Sequence, residues 1–166
     1  LEIDAPASVR VQLVGTTREL LDAATAAAAD ADVVIMAAAV ADYRPETVAE
    51  TKIKKESAGD TLELRLVKNP DILKTLVDTR PPGQLIVGFA AETETDATTL
   101  LQLGRAKAAR KGVDLLVVNA VGWTQGFATD TNTVIVLNRA GDIVAEASGT
   151  KQSVADRILD LVSDKP

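Results

Sequence analysis

Short apolar runs recur along the chain, separated by longer stretches in which apolar and polar residues mix. The runs are VVIM at Val33–Met36, LIV at 85–87 and LLVV at 115–118. Uninterrupted apolar runs of this length are typical of parallel strands that helices cover on both faces. They therefore predict three buried strands, the first of them in a central position.

Alternating patterns predict further strands. Apolar residues alternate with polar ones at 9–14, and leucines alternate with charged residues across 62–66, which gives that strand one dry and one wet face. A strand of the second kind fits an antiparallel excursion from the main sheet, as an edge or a dimer contact. The apolar segments 134–137 and 143–147 flank the turn sequence 139–142 and predict a β-hairpin.

Helix-start and helix-stop signals frame the amphipathic stretches between these strands. Thr16 or Thr17 is the expected N-cap of an alanine-rich helix, and Asn69 followed by Pro70 starts the next one. Gly112 is expected to end the third helix at its C′ position. The helices are predicted at about 17–29, 70–79, 95–111 and 151–163. The residues expected to face inward on the last two helices are Leu100, Leu101, Leu103, Val154, Ile158, Leu159 and Val162.

The order of these elements predicts an α/β fold, a Rossmann-like three-layer sheet. The sheet is expected to be mostly parallel, with helices on both faces and an antiparallel excursion and hairpin. At 166 residues the chain is expected to form a single domain, 1–166, which buries roughly two-thirds of its unfolded surface. Apolar residues make up 46% of the sequence but include only two Phe, one Trp and one Tyr, so Ala, Val, Leu and Ile must build the core.

Composition excludes several classes of function. The formal charge of −6 and the scarcity of aromatic side chains argue against a nucleic-acid surface. No apolar run approaches the ~20 residues of a membrane span, and no signal peptide is visible, so a cytoplasmic location is expected. The sequence has neither Cys nor His, which excludes thiol nucleophiles, thiolate and imidazole metal ligands and Ser–His triads. Phosphoryl and nucleotidyl transfer remain open, because they depend mainly on positioning and charge neutralisation.

The stretch 33–55 carries the clearest candidate chemistry. Small residues follow its apolar run, at Ala37, Ala38, Ala39 and Ala41. Small side chains at the carboxyl end of a parallel strand let a ligand approach the backbone closely. Asp42 comes next, and then the three lysines Lys52, Lys54 and Lys55. A carboxylate and a cationic cluster suit a metal-bound, phosphorylated ligand, although a surface loop with solvated lysines accounts for the same residues.

Three other positions allow both a binding and an ordinary interpretation. The free amides of the helix start at 70–73 either hold a polar ligand or belong to an ordinary capped helix. Phe89 either stacks on a base or completes the core. Lys107 and Lys111 share one helix face and either meet an anion or remain solvated. No G-x-G-x-x-G or G-x-x-x-x-G-K-[ST] motif is present, so a nicotinamide oxidoreductase has only the fold in its favour.

Four segments occur together in a fixed order. They are AAAVADYRP at 37–45 with KIKK at 52–55, LVKNPDIL at 66–73, VGFAAET at 87–93, and K-x-x-x-K-G-x-D-x-x-V-x-N at 107–119. In this combination the chain resembles the phosphopantothenate–cysteine ligase family in its bacterial, CTP-using form. The resemblance covers nearly the whole chain, and the ordered set of segments is far more specific than any one of them.

The resemblance implies an activity in coenzyme A biosynthesis, the joining of 4′-phosphopantothenate to L-cysteine. In this family CTP activates the pantothenate carboxylate as an acyl-cytidylate, pyrophosphate leaves with Mg²⁺, and the cysteine amine attacks the acyl carbon. Members of the family are homodimers. In bacteria this domain often follows a flavin-dependent decarboxylase, so FMN is expected only if such a domain is fused upstream.

The resemblance also implies roles for individual residues. Met36, Ala37 and Ala38 would line the nucleotide site through their backbone. Asp42 would contact the nucleotide directly or through the metal, and Lys52 would neutralise charge on the reacting phosphate; these two are the expected catalytic residues. Further nucleotide contacts are implied for Pro70, Asp71, Ile72, Leu73, Phe89, Lys107 and Lys111, with Lys54, Lys55 and Asn119 as weaker candidates. The metal ligands stay unassigned.

One part of the family pattern does not occur in this sequence. The family begins with a strand, a G-x-R-[DE]-x-[ILV]-D-like loop and an N-x-S-S-G-x-[MR]-G helix start that bind phosphate and phosphopantothenate. The chain is therefore expected to lack the N-terminal β-α unit, and its phosphopantothenate ligands are not identified. A non-catalytic nucleotide-binding module, or a dimerisation module that uses the strand at 62–66, is the alternative.

Overall fold

The computed structural model describes residues 5–54, 60–120 and 131–163. Contacts between backbone positions divide the chain into two compact units, one of 1–23 with 39–71 and one of 24–38 with 72–166. The elements are α1 (Thr17–Ala28), β1 (Val33–Met36), β2 (Tyr43–Pro45), β3 (Leu66–Lys68), α2 (Ile72–Thr79), β4 (Leu85–Glu92), α3 (Ala97–Lys111), β5 (Leu115–Ala120), β6 (Thr131–Asn138), β7 (Ile143–Thr150) and α4 (Lys151–Ser163). None of the helices in these ranges is long and apolar enough to cross a membrane.

The second unit is built on a mixed sheet, which has five strands in the described residues in the order β1-β4-β5-β6-β7. The pairs β1–β4 and β4–β5 are parallel, whereas β5–β6 and β6–β7 are antiparallel. Three strands therefore form a parallel core that the predicted hairpin extends. The α/β class is confirmed, and so are the strands expected at 85–87 and 115–118.

One face of this sheet packs against α4. Alternate residues of each strand point to this face, and their apolar side chains meet those of the helix. The cluster consists of Val87, Leu115, Val117, Val134, Val136, Ala145, Val154 and Ile158. Leu159, which was also expected to face inward, is 49% exposed. The aliphatic core that the composition requires is thus present on this face.

The opposite face lies so close to two helices that glycine is needed at the contacts. A Cβ on Gly88 of β4 would lie 2.7 Å from Leu73 Cδ2 of α2. A Cβ on Gly104 of α3 would lie 2.9 Å from Val118 Cγ2 and 3.0 Å from Leu137 Cδ1. The sheet is therefore covered on both sides, which confirms the predicted three layers.

The amino ends of β4 and β5 are tied together by one carboxylate. The Asp114 peptide N–H donates to the Ile86 carbonyl at 3.0 Å, and the Asp114 side chain accepts from the Ile86 N–H at 2.8 Å. The same carboxylate is 2.6 Å from the Arg80 guanidinium. Since both strands share this anchor, their relative register is specified where β5 begins.

The first apolar run occupies a different place in the sheet from the one expected. Within the described residues β1 pairs with β4 alone and lies at the end of the sheet. Val33 and Ile35 are 38% and 42% exposed. The prediction of a central strand covered on both faces is therefore wrong for the described residues. An apolar run indicates a strand, but it does not show how many strands lie beside it.

The first unit contains an antiparallel pair, but the strand predicted at 62–66 is wrong in its bounds, because 61–65 form no ladder and β3 of the separate β2–β3 sheet starts at Leu66. β2 and β3 pair antiparallel, with Tyr43 opposite Lys68 and Pro45 opposite Leu66. The expected dry face is wrong, because Leu62, Leu64 and Leu66 are all more than half exposed. The predicted strand at 9–14 is also wrong, since no ladder forms there. Both patterns alternate, but neither finds an apolar surface to pack on in the described residues.

Two predicted helix ends are confirmed. Thr16 caps α1 by accepting from the Glu19 N–H, while the Glu19 carboxylate accepts from the N–H groups of Gly15 and Thr16. This reciprocal arrangement is a capping box, and the hydrogen bonds from Gly15 and Thr16 lower the pKa of Glu19. Gly112 ends α3 in the left-handed region at φ 73°, where glycine carries no Cβ penalty.

Candidate functional site

Three parallel strands of the second unit end at the same edge of the sheet. Met36, the last residue of β1, is in register with Gly88 of β4, and Ala91 of β4 is in register with Asn119 of β5. Ala37 and Ala38 follow β1 directly and are exposed. The small residues expected to line a ligand site therefore lie at the carboxyl edge, where open α/β sheets bind their ligands.

The structure supports one of the two interpretations of Phe89, packing in the core, and does not test the other. Its ring packs against the cluster on the α4 face of the sheet, so it completes the core. The residue is only half-buried, which leaves part of its surface available. Its packing role is confirmed, and stacking on a base stays a prediction.

Lys107 forms an ion pair that the sequence did not indicate. Its amine is 2.5 Å from the carboxylate of Glu92, with the two side chains 26% and 21% exposed. Glu92 is the last residue of β4, so α3 delivers the amine to the carboxyl edge of the sheet. Lys111 lies one turn further along α3. The solvated-face interpretation is thus wrong for Lys107, which is partly buried and neutralised by an acidic partner.

Asn69 is the clearest correction in the first unit. The following helix begins at Ile72, and the Asn69 side chain donates to the Ala41 carbonyl at 2.8 Å instead of capping that helix. Its Oδ1 accepts from the Arg44 guanidinium at 3.0 Å. Asn69 is buried beside the loop that follows β1 in the chain. Because a buried amide requires hydrogen-bond partners, its side chain bonds to Ala41 and Arg44.

The remaining predicted residues fall into two groups. Ile72 and Leu73 are 3% and 9% exposed, so their side chains belong to the core and only their peptide groups can meet a ligand. Asp42 and Lys52 are exposed and are available to a ligand.

The predicted residues are divided between the two structural units. The first unit holds Asp42, Lys52, Lys54, Pro70 and Asp71. The second unit holds Met36, Ala37, Ala38, Ile72, Leu73, Phe89, Lys107, Lys111 and Asn119. Lys55 lies outside the described residues.

A cavity of about 640 Å³ lies at the other end of the second unit. Its lining includes Val33 and Leu85, which begin β1 and β4, and the Arg80–Asp114 ion pair. Gln84 also lines it and donates from Nε2 to the carbonyls of Ala28 and Ala31. These residues lie at the amino ends of the parallel strands, so none of the predicted site residues contributes to this cavity.

The sequence profile of a known family matches almost the whole chain. The profile is that of the DNA/pantothenate metabolism flavoprotein C-terminal domain, and the match covers residues 1–165. The chain belongs to this family. The resemblance inferred from the four ordered segments is therefore confirmed.

Relatives that the chain resembles agree with this family assignment. The coenzyme A biosynthesis bifunctional protein CoaBC of Mycolicibacterium smegmatis is 45% identical over 163 residues, which is 95% of this chain and 39% of that protein. The crystal structure of the C-terminal domain of a CoaBC protein has a TM-score of 0.73 at 30% identity, covering 97% of this chain and 68% of that one. The Streptococcus pneumoniae DNA/pantothenate metabolism flavoprotein shares the fold, with a TM-score of 0.76 at 22% identity over 98% of this chain and 76% of that one. The chain thus spans about two-fifths of the CoaBC relative that it matches.

Within the described residues, the side chains of the chain do not form a complete metal site by themselves. In the described ranges, no three acidic side chains gather into a group that could hold an ion. Mg²⁺ is commonly held by one or two carboxylates together with substrate phosphates. The exposed carboxylate of Asp42 suits that arrangement, in which the substrate supplies the other oxygens.

Proposed function

We propose that the chain is the ligase part of a coenzyme A biosynthesis enzyme that joins 4′-phosphopantothenate to L-cysteine with CTP. The observation that carries the proposal is that parts of two family segments, 37–38 and 89–92, lie at the carboxyl edge of the sheet. Ala37 and Ala38 follow β1, and Phe89 to Glu92 end β4 in register with β5. The 45% identity to a CoaBC protein supports the same role.

The reaction fits the side chains available. The carboxylate of phosphopantothenate attacks the α-phosphorus of CTP, the bond to pyrophosphate breaks, and an acyl-cytidylate forms. The cysteine amine then attacks the acyl carbon, CMP leaves, and the amine loses a proton. Neither step needs a protein nucleophile, in agreement with a sequence that has no Cys and no His.

The proposed site residues have different roles, which follow from the chemistry of their side chains and backbone. In the first unit Lys52 offsets negative charge on the reacting phosphate, and Asp42 contacts the nucleotide directly or through Mg²⁺, which would supply positive charge for the triphosphate. In the second unit the backbone of Met36 to Ala38 lines the nucleotide, and Lys107 and Lys111 bind its phosphates or base. Electrostatic stabilisation of this kind commonly contributes 10²–10³-fold per group, or about 3–4 kcal/mol.

Pyrophosphate release by the full polypeptide tests the activity. We expect CTP-dependent release only when phosphopantothenate is present, and CMP formation when cysteine is added. Lys52→Ala and Asp42→Ala should each lower kcat by about 10²-fold, whereas Lys151→Ala at the exposed start of α4 should not. Normal turnover by both site variants would contradict the assignment. CTP binding without turnover in the wild type would instead support a non-catalytic nucleotide-binding module.

The homodimer is part of the proposal and uses the apolar surface of the first unit. Leu62, Leu64 and Leu66 are 56%, 63% and 53% exposed, and exposed leucines at alternate positions of one short segment support an interaction surface there. We expect Leu64→Glu to shift a dimer toward monomer in sedimentation velocity. Leu159→Glu on α4, at 49% exposure, is the matched control and should leave the dimer intact. A dimer that tolerates Leu64→Glu would place the interface elsewhere.

In the part of the chain that the structure describes, β1 has one neighbouring strand, β4, which leaves room for a further strand. In a parallel ladder about half of an edge strand's peptide groups point away from its single neighbour, and Val33 and Ile35 are partly exposed as well. An N-terminal β-α unit of the full polypeptide would cover this edge, and a fused decarboxylase would carry FMN. Slow exchange of those Val33–Met36 amides that point away from β4 would support the added strand in the full polypeptide, and exchange of these amides at the rate of free peptide would contradict it. A cytoplasmic location follows from the proposed pathway.

A further inference from the structure

We propose that Asn69 and Arg44 are positioning residues for the nucleotide. They form a clamp that fixes two backbone segments, 41–42 and 69–71, on either side of the nucleotide. The clamp consists of Asn69, Arg44 and the carbonyls that they bind. It rests on the proposed function, because the segments it holds carry Asp42, Pro70 and Asp71. Neither Asn69 nor Arg44 was given a binding role by its sequence motif.

The clamp begins where the β2–β3 ladder ends. Tyr43 opposite Lys68 is the last ladder pair on this side. Beyond it, the Asn69 peptide N–H donates to the Asp42 carbonyl at 2.8 Å, and the Asn69 side chain donates to the Ala41 carbonyl at 2.8 Å. One residue therefore binds two successive carbonyls, and it sets the path of the chain at Asp42.

Arg44 locks the other side of the same residue. Its Nη1 donates to Asn69 Oδ1 at 3.0 Å and to the Lys68 carbonyl at 3.1 Å. The guanidinium thus fixes which way the Asn69 amide faces, since the oxygen meets Arg44 and the nitrogen meets Ala41. Charge-assisted hydrogen bonds of this kind are stronger than neutral ones.

Apolar packing does not explain why the β2–β3 pair holds its shape. Tyr43 and Leu66 are 59% and 53% exposed, whereas Asn69 is 7% exposed. In this part of the described chain the buried side chain is the polar one. Because two-stranded sheets are marginal without a dry face, the hydrogen bonds of the clamp are what hold residues 41–42 against residues 69–71.

The chemistry of this arrangement explains a preference for two residue types. Asn supplies a donor and an acceptor on one short side chain, and Arg supplies donors in a rigid fork. Replacing Asn69 removes the side-chain donor to the Ala41 carbonyl and leaves the Arg44 guanidinium with the Lys68 carbonyl but without the Asn69 amide. The Asp42 carboxylate and the amides after Pro70 would then no longer keep a fixed separation, and misplacement by about 1 Å can cost 10²-fold in rate.

Steady-state kinetics of the full polypeptide test the proposal. We expect Asn69→Ala to raise KM for CTP about tenfold or more, with KM for cysteine changed less than about twofold. Arg44→Lys keeps the charge and should show a smaller rise than Arg44→Ala. The matched control is Arg65→Ala, which removes the Arg65–Glu46 ion pair next to the other end of the β2–β3 pair and should leave KM for CTP unchanged. An unchanged KM in Asn69→Ala, or an equal rise in Arg65→Ala, would overturn the clamp.

Hydrogen exchange separates this inference from the proposed function. In Asn69→Ala, peptides covering 41–45 and 66–71 should both exchange faster, and in Arg65→Ala the 41–42 amides should not. If the wild type releases no pyrophosphate with CTP, the ligase assignment fails while faster exchange still supports the clamp. Unchanged exchange in Asn69→Ala would overturn the clamp whatever the activity.

Discussion

Gly104→Ala is the most direct test of how closely α3 packs on the sheet. The added Cβ would lie 2.9 Å from Val118 Cγ2 and 3.0 Å from Leu137 Cδ1. Real Cβ contacts rarely fall this close, so something must move. Val118 and Leu137 are 1% and 0% exposed and have no free space to enter. The methyl group therefore forces a shift of the helix or of the strands beneath it.

The magnitude depends on two opposing effects. Overpacking a dense core costs about 1–3 kcal/mol, while Ala in place of Gly favours a helix by about 0.8–1 kcal/mol. Because two contacts are too short and both partners are buried, we place the overpacking near the middle of its range. The free energy of unfolding should then fall by about 1 kcal/mol.

Urea denaturation of wild type and variant measures this difference. The midpoint should fall with the slope unchanged, which indicates a change of stability and not of the unfolded state. Gln102→Ala, at an exposed position of α3, is the control and should stay within about 0.5 kcal/mol of wild type. If Gly104→Ala were as stable as wild type or more so, the close approach of α3 to β5 and β6 would be refuted.

Three further outcomes are expected. Because Glu92 neutralises Lys107, Lys107→Met should weaken CTP binding in calorimetry and Glu92→Gln should strengthen it. Both changes in affinity should be smaller at high salt, and changes in the same direction for the two variants would contradict the charge argument. Leu76→Ala, at a position only 1% exposed, should lower the free energy of unfolding by about 2–5 kcal/mol in chemical denaturation. Leu159→Ala should lower it far less, and equal losses in the two variants would refute the assigned core. Since the pKa of Glu19 lies below its ordinary value of 4.5, the stability it provides is present above that pH and is lost as the pH falls through the lowered pKa. Glu19→Gln should therefore flatten the acid side of a stability–pH curve, and an unchanged acid limb would argue against the capping box.

The parts of the fold that local chemistry determines could be predicted from the sequence. The capping residue Thr16 and the terminating Gly112 act within one helix turn, and each is where its residue type indicated. Apolar runs likewise located β1, β4 and β5. These features need no knowledge of distant parts of the chain.

Features that depend on a distant partner could not be predicted. Leu103 was expected to face inward, yet it is 42% exposed, because Leu100, Gly104 and Ala108 form the buried stripe of α3. Asn69 was expected to cap a helix, but its partners Ala41 and Arg44 lie 25 or more residues away. A helix-cap rule considers only the next few residues, so it missed both partners.

The candidate site shows the same division. Small residues after β1 and β4 suggested a ligand edge from sequence alone, whereas individual roles came from the family resemblance and stay predictions. Glu92 was missed although it lies within the segment VGFAAET, because its importance depends on Lys107, 15 residues further along the chain. An acidic residue at a strand end followed by lysine on the next helix is the signal that could have indicated the pair.

The Asp114 anchor has an effect at the opposite end of the sheet. Strands that slip by a single residue exchange their two faces, so Phe89 and the residues beside it would turn toward the wrong layer of helices. The carboxylate that bonds to Ile86 and Arg80 opposes such a slip, several residues before the chain reaches Glu92 and Asn119. The alignment of the carboxyl edge, where we propose that the nucleotide binds, therefore depends on a side chain at the amino edge of the same sheet.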